Sequence, residues 1–249
     1  MNEDDDNMLH LFDMLAPKKG EHREHVRLTY SAHVGLNAEL FPAILKLHVK
    51  DGARIADVTY GKGAFWKFVP NGRYTTVFSD LNTGKDSESA VVRKLDCRKL
   101  PYADGSFDAV VLDPPYMHVS GGTAYESMPR TESSSSAFED CYRNNEVEAP
   151  EGTKWHEAVL ALYYEAGREA ARVLKKKGTL IVKCQDEVCA HRMRLTHMEI
   201  AQEYAKMGLE CDDLFVVVAT NNPGVSRMKK QYHSRRNHSF FVIFKKKTV

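Results

Sequence analysis

The sequence lacks the features that mark a membrane protein, a disulfide-rich secreted protein or a zinc protein. None of its apolar runs approaches the length of a membrane-spanning helix. Its five cysteines are odd in number and scattered, and no Cys-x-x-Cys pair occurs, which argues for reduced thiols and against a metal site. The acidic start, Met1 to Asp6, does not resemble a signal or transit peptide. We therefore expect a soluble, cytoplasmic protein that binds neither a membrane nor a metal.

The composition is that of a globular protein, with 43% hydrophobic and 28% charged residues. A net charge of +1 excludes no partner, because a balanced total can conceal a local basic face. A chain of 249 residues can bury a substantial core. We expect an N-terminal extension at residues 1–25 and a single domain at 26–249. An insertion at about 117–153 shows no sustained hydrophobic period, which suggests a lid, a binding loop or a disordered surface segment.

The most informative stretch is an apolar run that ends in polar and aromatic residues. Phe107 to Leu112 predicts a buried strand, which must stop at Asp113-Pro114-Pro115-Tyr116 because proline cannot donate to a strand ladder. In open α/β sheets, ligands bind at the carboxyl ends of the strands. The Asp113 carboxylate and the Pro114 carbonyl can accept hydrogen bonds from the two N–H groups of an amine on a flat heterocycle. Tyr116 offers a ring face on which such a base can stack.

A second pattern joins a strand, a glycine-containing turn and a helix. Ile55 to Thr59 predicts the strand, Tyr60 to Gly63 the turn, and Ala64 to Trp66 the opening of the helix. Glycines permit close backbone approach, and a helix start offers free N–H groups. The turn lacks the third glycine of the dinucleotide fingerprint, and it is no P-loop because Lys62 lies between the glycines.

Acidic residues follow four predicted strands, at Asp57, Asp80, Asp96 and Asp113. An acid at the end of the second strand can hold a ribose diol through two charge-assisted hydrogen bonds. An acid at the next strand end can accept the exocyclic amine of a bound adenine. Taken singly, each acid is also typical of a cap or turn, but together with the glycines they predict one nucleoside-binding edge.

The remaining pattern predicts alternating helices and strands. Helices are expected at 37–50, at 155–174 with Lys175 to Lys177 at its carboxyl end, and at 191–207. Strands are expected at 179–183, 215–219 and 239–244. Because no helix is predicted between the last two strands, they should form an antiparallel hairpin.

The Asp-Pro-Pro-Tyr stretch resembles the signature of the S-adenosylmethionine-dependent amino-methyltransferases, best known as DNA adenine-N6 enzymes. With the glycine turn before it, the resemblance covers roughly residues 37–247. It implies an α/β, Rossmann-like class I methyltransferase fold with a seven-stranded, mostly parallel sheet and an antiparallel C-terminal hairpin. Thr59 stands where many members of the wider fold carry the first glycine.

The resemblance also implies a set of site residues. Asp113, Pro114, Pro115 and Tyr116 would hold the target base. S-adenosylmethionine would be held by residues of the turn and of the following strand ends, namely Asp57, Thr59, Tyr60, Gly61, Gly63, Asp80, Leu81, Asp96 and Cys97.

The expected activity is methyl transfer to the exocyclic amine of a nucleobase. By the same resemblance, Asp at the first motif position favours adenine N6 in DNA over cytosine N4, where Ser is more usual. Three alternatives remain: RNA modification at adenine N6 or guanine N2, methylation of cytosine N4, and a non-catalytic nucleic-acid-binding subunit with the same fold.

A basic segment precedes the last strand. Residues 227–238 contain five cations and three aromatic or imidazole rings, which suits phosphate neutralisation and stacking, although charged blocks are usually solvated loops. No separate recognition domain is visible, so this segment, the insertion, a protein partner or a second copy must read the target. The expected nucleic-acid contacts are Lys229, Lys230, Tyr232, Arg235, Arg236 and His238.

Overall fold

The computed structural model describes residues 28–81, 92–115, 156–220 and 230–248. Within these ranges, no helix is both long and apolar enough to cross a membrane. The predicted N-terminal extension and the predicted insertion lie outside the described residues. The strands are β1 (Ala32–Val34), β2 (Arg54–Asp57), β3 (Thr75–Asp80), β4 (Val92–Lys94), β5 (Phe107–Leu112), β6 (Leu174–Cys184), β7 (Glu187–Cys189), β8 (Arg192–Arg194), β9 (Leu209–Val218) and β10 (His238–Lys246). The α-helices are α1 (Asn37–His48), α2 (His156–Val173) and α3 (Thr196–Lys206).

The main sheet of the described residues has eight strands in the order β1-β9-β10-β6-β5-β2-β3-β4. Strand β10 runs antiparallel to both of its neighbours, and the other pairs are parallel. The predicted α/β class and the antiparallel pairing of the last two strands are confirmed. The predicted number of seven strands was wrong, because β1 adds to the outer side of β9. Three residues are too few to show a period in the sequence.

Strand β5 shows how helices come to cover both faces of the sheet. Val110 and Leu112 pack into a core with residues of α2 and α3, whereas Ala109 and Val111 pack into a second core with residues of α1. All four side chains are buried. A strand that is buried on both faces is apolar throughout, which explains the continuous apolar run in the sequence.

The glycine turn leads into a helix, as predicted, but it is a short 3-10 helix, Ala64–Phe68. Val69 follows in an extended conformation. Pro70 accounts for this ending, because proline disfavours helical geometry at the residue before it.

The helix predicted over 191–207 was wrong in its first part. Residues 187–194 form a hairpin, in which Cys189 pairs with Arg192 across a two-residue turn. The turn residues Ala190 and His191 both have positive φ, at 50° and 60°, as a tight hairpin turn requires. Helix α3 begins only at Thr196.

The lysines predicted to close α2 belong to the next strand. Helix α2 ends at Val173, and β6 begins at the following residue. Lys175 Nζ lies 2.7 Å from Asp108 Oδ1 on β5, so this lysine pairs with a neighbouring strand. The sequence analysis placed Lys175 to Lys177 at the end of the helix, whereas the structure places them in β6.

Candidate active site

The acids predicted at strand ends lie along one edge of the sheet. Asp57, the last residue of β2, is in register with Phe78 of β3 and Val111 of β5. Asp80 ends β3, and Asp113 directly follows β5. Because these strands are parallel neighbours, their carboxyl ends meet. The three carboxylates are close enough for the charges of Asp113 and Asp80 to act on Asp57.

The glycine turn is closed on one side and open on the other. Gly61 and Gly63 have φ angles of 54° and 70°, which favour glycine. A Cβ on Gly63 would collide with the Tyr60 ring, whereas a Cβ on Gly61 would meet no atom within 4 Å. The Gly61 N–H donates to the Asp80 carboxylate at 2.8 Å. The turn therefore offers an approachable backbone at Gly61, beside a carboxylate.

Asp57 is a buried carboxylate that supports the turn from inside. It accepts hydrogen bonds from the Trp66 indole N–H at 2.7 Å and from the Thr59 backbone N–H at 3.1 Å. Burial raises the pKa of Asp57 to about 7, although these two hydrogen bonds act in the opposite direction. Both carboxylate oxygens thus have partners within the protein.

Strand β3 anchors the other side of the turn. The backbone N–H of Tyr60 donates to the carbonyl of Ser79 at 3.0 Å. The centres of the Tyr60 and Phe78 rings lie 4.3 Å apart. Leu81, directly after Asp80, is half-buried. The turn is therefore held against the end of β3, where the predicted ribose-binding acid lies.

Asp96 has a cationic partner within the protein. The Arg98 guanidinium donates to both of its oxygens, and the Arg98 backbone N–H donates to Oδ1. Burial alone would raise the pKa of Asp96, but these contacts lower it below its usual value. Burial raises the pKa of the adjacent Cys97 thiol to about 12, so the thiol stays protonated. A nucleoside amine would have to share the Asp96 carboxylate with Arg98.

A hydrogen bond joins the glycine turn to the residues after β5. The backbone N–H of Asp113 donates to Thr59 Oγ1 at 2.6 Å. Pro114 is buried, and Asp113 and Pro115 are half-buried. Tyr116, the predicted stacking residue, lies outside the described residues. The structure gives Thr59 a role that the sequence analysis missed, since its hydroxyl accepts a bond that a glycine could not.

The sequence analysis also missed Lys183, a buried residue near the end of β6. Its ammonium donates to Ser239 Oγ and lies 4.6 Å from the centre of the Phe241 ring. Burial lowers the pKa of Lys183 to about 8, and the Asp113 carboxylate opposes this shift. The signal in the sequence was a single lysine within the apolar run Leu180 to Cys184.

The basic segment reaches the same edge of the sheet. Because β10 is antiparallel to β6, its first residue, His238, lies near the carboxyl end of β6, where Gln185 Nε2 donates to the His238 carbonyl at 3.0 Å. Lys230, Tyr232 and Arg235 are exposed. Lys230 Nζ lies 5.1 Å from the centre of the Tyr232 ring. Arg236 is half-buried, and Lys229 lies outside the described residues.

The comparison with protein families matches the second half of the chain. Residues 107–249, which are 143 of the 249 residues, match the model of the N6/N4 family, described as DNA methylase. The chain belongs to this DNA methylase family. The match supports S-adenosylmethionine as the cofactor. No curated protein sequence matches the chain significantly.

Among solved structures, similar chains include TrmN from Thermus thermophilus, at 15% identity over 84% of this chain and 48% of that one, with a TM-score of 0.47. A methyltransferase from Burkholderia thailandensis, acting at N1 of 1,6-didemethyltoxoflavin and holding S-adenosylhomocysteine, matches at 13% identity over 85% and 79%, with a TM-score of 0.47. A candidate DNA modification methylase, also from Thermus thermophilus, matches at 16% over 62% and 51%, with a TM-score of 0.38. The chain thus spans about half the length of the two Thermus proteins.

The residues around the glycine turn fit the cofactor of this methyltransferase family. The open side at Gly61 leaves space for a methionine chain to approach the backbone. The neighbouring Asp80 carboxylate is half-exposed and can accept hydrogen bonds from ribose hydroxyls. Among the described ranges of the chain, no group of three His, Cys, Asp or Glu side chains could hold a metal ion.

Proposed function

We propose that this protein is an S-adenosylmethionine-dependent methyltransferase that modifies the exocyclic amine of a nucleobase, and that its target is adenine N6 in DNA. The observation that carries the proposal is the hydrogen bond of 2.6 Å between the Asp113 N–H and Thr59 Oγ1. It joins the segment that would hold the base to the turn that would hold the cofactor. The two parts also follow adjacent parallel strands, β5 and β2.

The proposed cofactor site lies at the ends of β2, β3 and β4. Gly61 and Gly63 would surround the methionine part, Asp80 with Leu81 would hold the ribose, and Asp96 with the Cys97 backbone would bind the adenine. The other residues predicted to form the cofactor site, Asp57, Thr59 and Tyr60, would shape the glycine turn. When bound, S-adenosylmethionine supplies an electrophilic methyl group.

The proposed role of the residues after β5 is to hold and polarise the target amine. The lone pair of such an amine is delocalised into its ring and is a poor nucleophile. The Asp113 carboxylate and the Pro114 carbonyl would accept its two N–H bonds, which favours the pyramidal nitrogen that exists only as the new bond forms. Once methylated, the nitrogen would release its proton to water or to Asp113.

A paired base cannot reach this site, so the target base must leave the double helix or belong to a single strand. Extruding a base costs on the order of a few kcal/mol, which stacking on Tyr116 and the two hydrogen bonds would offset. The exposed basic residues at 230–236 lie next to β10, at the same edge as Asp113. We propose that they contact the phosphate backbone.

A labelled-methyl assay on duplex DNA, single-stranded DNA and total RNA tests this proposal. Asp113→Asn should reduce transfer by about 100-fold, because the negative charge that stabilises the positive charge developing on the amine is lost. Asp108→Asn is the matched control, since Asp108 lies on the same strand but at its other end, where it pairs with Lys175. It should keep most of the activity.

Two results would contradict the proposal. The first is an Asp113→Asn protein that binds S-adenosylmethionine in calorimetry and still transfers methyl groups at a near wild-type rate. The second is transfer to RNA alone, which would assign the enzyme to RNA modification. If instead the wild-type protein binds nucleic acid but neither binds the cofactor nor transfers labelled methyl groups, it is a non-catalytic subunit.

A further inference from the structure

Lys183 is a buried cation that the mechanism above leaves unused. Only 1% of its surface is exposed. Burying an ammonium group is unfavourable unless opposite charge and hydrogen-bond partners compensate it. The position of Lys183 in the sheet shows where that compensation comes from.

The register of β5 and β6 places Lys183 beside Asp113. Leu112 is paired with Val182 in this parallel pair, so the next residues along the two strands are Asp113 and Lys183. Side chains alternate between the faces of a sheet. Val111 and Ile181 face the core formed with α1, and therefore Asp113 and Lys183 are directed to that same face.

Strand β10 anchors the ammonium group on this face. Lys183 is in register with Phe241, and the ammonium lies 4.6 Å from the centre of that ring. Ser239, two residues earlier, accepts a hydrogen bond from Nζ. The contact with the ring face is a cation–π interaction, which is stronger where water is excluded. Ser239 and Phe241 thus keep the charge close to the carboxyl edge of β5.

The charges around this position explain why a cation is needed. Asp57 of β2 and Asp113 repel each other, and Asp80 of β3 adds to the negative charge at Asp57. Lys183 and Asp113 attract each other, and β10 contributes the Ser239 hydroxyl and the Phe241 ring to the surroundings of the ammonium. Within β6, Cys184 is protonated because burial raises its pKa well above its usual range. Without a cation, the adjacent carboxylates would tend to retain a proton.

We propose that Lys183 is a positioning residue for methyl transfer: its buried ammonium keeps the Asp113 carboxylate ionised and directed towards the target amine. The inference rests on the proposed function of Asp113. A protonated Asp113 could offer only one acceptor oxygen and would not favour the developing positive charge on the amine. Lys183 therefore acts through Asp113 and does not contact the substrate.

The test is the pH dependence of kcat/KM for Lys183→Met. The acid limb of the profile should move upwards by about one pH unit, because removal of a neighbouring cation raises the pKa of a carboxyl group. Lys183→Arg should restore most of the wild-type profile. Lys245→Met is the matched control, because Lys245 lies on the neighbouring β10 but its ammonium binds the His48 carbonyl and Thr179, away from Asp57, Asp80 and Asp113. It should leave the profile unchanged.

A second measurement separates this inference from the proposed function. The side-chain carboxyl carbon of Asp113 is followed by NMR in protein labelled with 13C-aspartate, with Asp113→Asn for assignment. Its titration midpoint should rise in Lys183→Met even if the wild-type protein methylates none of the nucleic acids tested. An unchanged midpoint, or an unchanged acid limb with activity lost, would overturn the role of Lys183.

Ser239→Ala keeps the inference testable if Lys183→Met does not fold. This variant removes the hydroxyl that anchors the ammonium and leaves the lysine in place. We expect a smaller upward shift of the same acid limb and of the same midpoint. A folded Ser239→Ala protein with both values unchanged counts against the proposal.

Discussion

The hydroxyl of Thr59 accepts the backbone N–H of Asp113 at 2.6 Å, although 54 residues separate them in the sequence. Removing this hydroxyl should misplace the target-binding segment relative to the glycine turn. We predict that Thr59→Val lowers kcat/KM about fivefold, because a lost hydrogen bond of this kind is worth about 1 kcal/mol. The measurement is steady-state methyl transfer.

Thr59→Ser is the control, since it keeps the hydroxyl. It should retain most of the activity. A Thr59→Val enzyme with wild-type kcat and KM would show that the bond does not position Asp113.

The Trp66 indole donates the shorter of the two hydrogen bonds to the buried Asp57 carboxylate, with 2.7 Å between Trp66 Nε1 and Asp57 Oδ2. Trp66→Phe keeps the ring but removes the donor, which should raise the pKa of Asp57 above about 7. A raised folded-state pKa favours the folded protein at low pH, and this advantage is lost as the pH rises through the folded value. The destabilisation by Trp66→Phe should therefore grow between pH 6 and pH 8.

Urea unfolding at several pH values measures this effect. We expect the variant to be less stable than wild type by about 1–3 kcal/mol at pH 8, the cost of an unsatisfied buried polar group. The double variant with Asp57→Asn should lose the pH-dependent part. A pH-independent difference in the single variant would contradict this interpretation.

A buried histidine links three elements beside the active-site edge. His156 at the start of α2 donates from Nδ1 to Glu187 of β7 and from Nε2 to Glu199 of α3, both at 2.7 Å. Burial lowers the pKa of His156, but the two carboxylates outweigh it and raise the value above 6.5. Its contribution to stability is complete below pH 6.5 and is lost as the pH rises through the raised value.

We therefore predict that His156→Gln destabilises the protein more at pH 6 than at pH 9. The free energy of unfolding, from urea titrations at both values, measures the difference. Lys206→Gln, which removes an exposed ion pair with Glu203, is a control that should change little at either pH. An equal loss from His156→Gln at both pH values would mean that the histidine is neutral in the folded protein.

The exposed residues of the basic segment give a prediction for binding. Arg235→Ala and Lys230→Ala should each weaken binding to duplex DNA of any sequence. Each should lower the slope of log K against log salt by about 0.9 if it contacts one phosphate. Fluorescence anisotropy at several salt concentrations gives the slope.

Lys175→Ala is the control for this series, because Lys175 pairs with Asp108 at the opposite edge of the sheet. Its slope should match that of the wild-type protein. Unchanged slopes for both Arg235→Ala and Lys230→Ala would exclude these residues from the phosphate contacts.

Much of the fold followed from local patterns. A strand such as Phe107 to Leu112 must be apolar throughout when helices cover both of its faces, and its end is set by Pro114. The acids at the ends of β2, β3 and β5 could be placed at one edge because parallel strands share that edge. Short elements were missed, since neither the three residues of β1 nor the hairpin at 187–194 contains enough residues for a period to show.

The chain order of strands and acids was therefore sufficient to predict which acids share one edge of the sheet, because those features depend on neighbours in sequence. Which groups meet inside that site depended on packing. Thr59 reaches Asp113, and Lys183 reaches Ser239, only because separate strands lie side by side in register. In the sequence, a lone lysine within an apolar run has no visible partner. In the folded sheet it is the positive charge beside the carboxylate that the proposed chemistry requires.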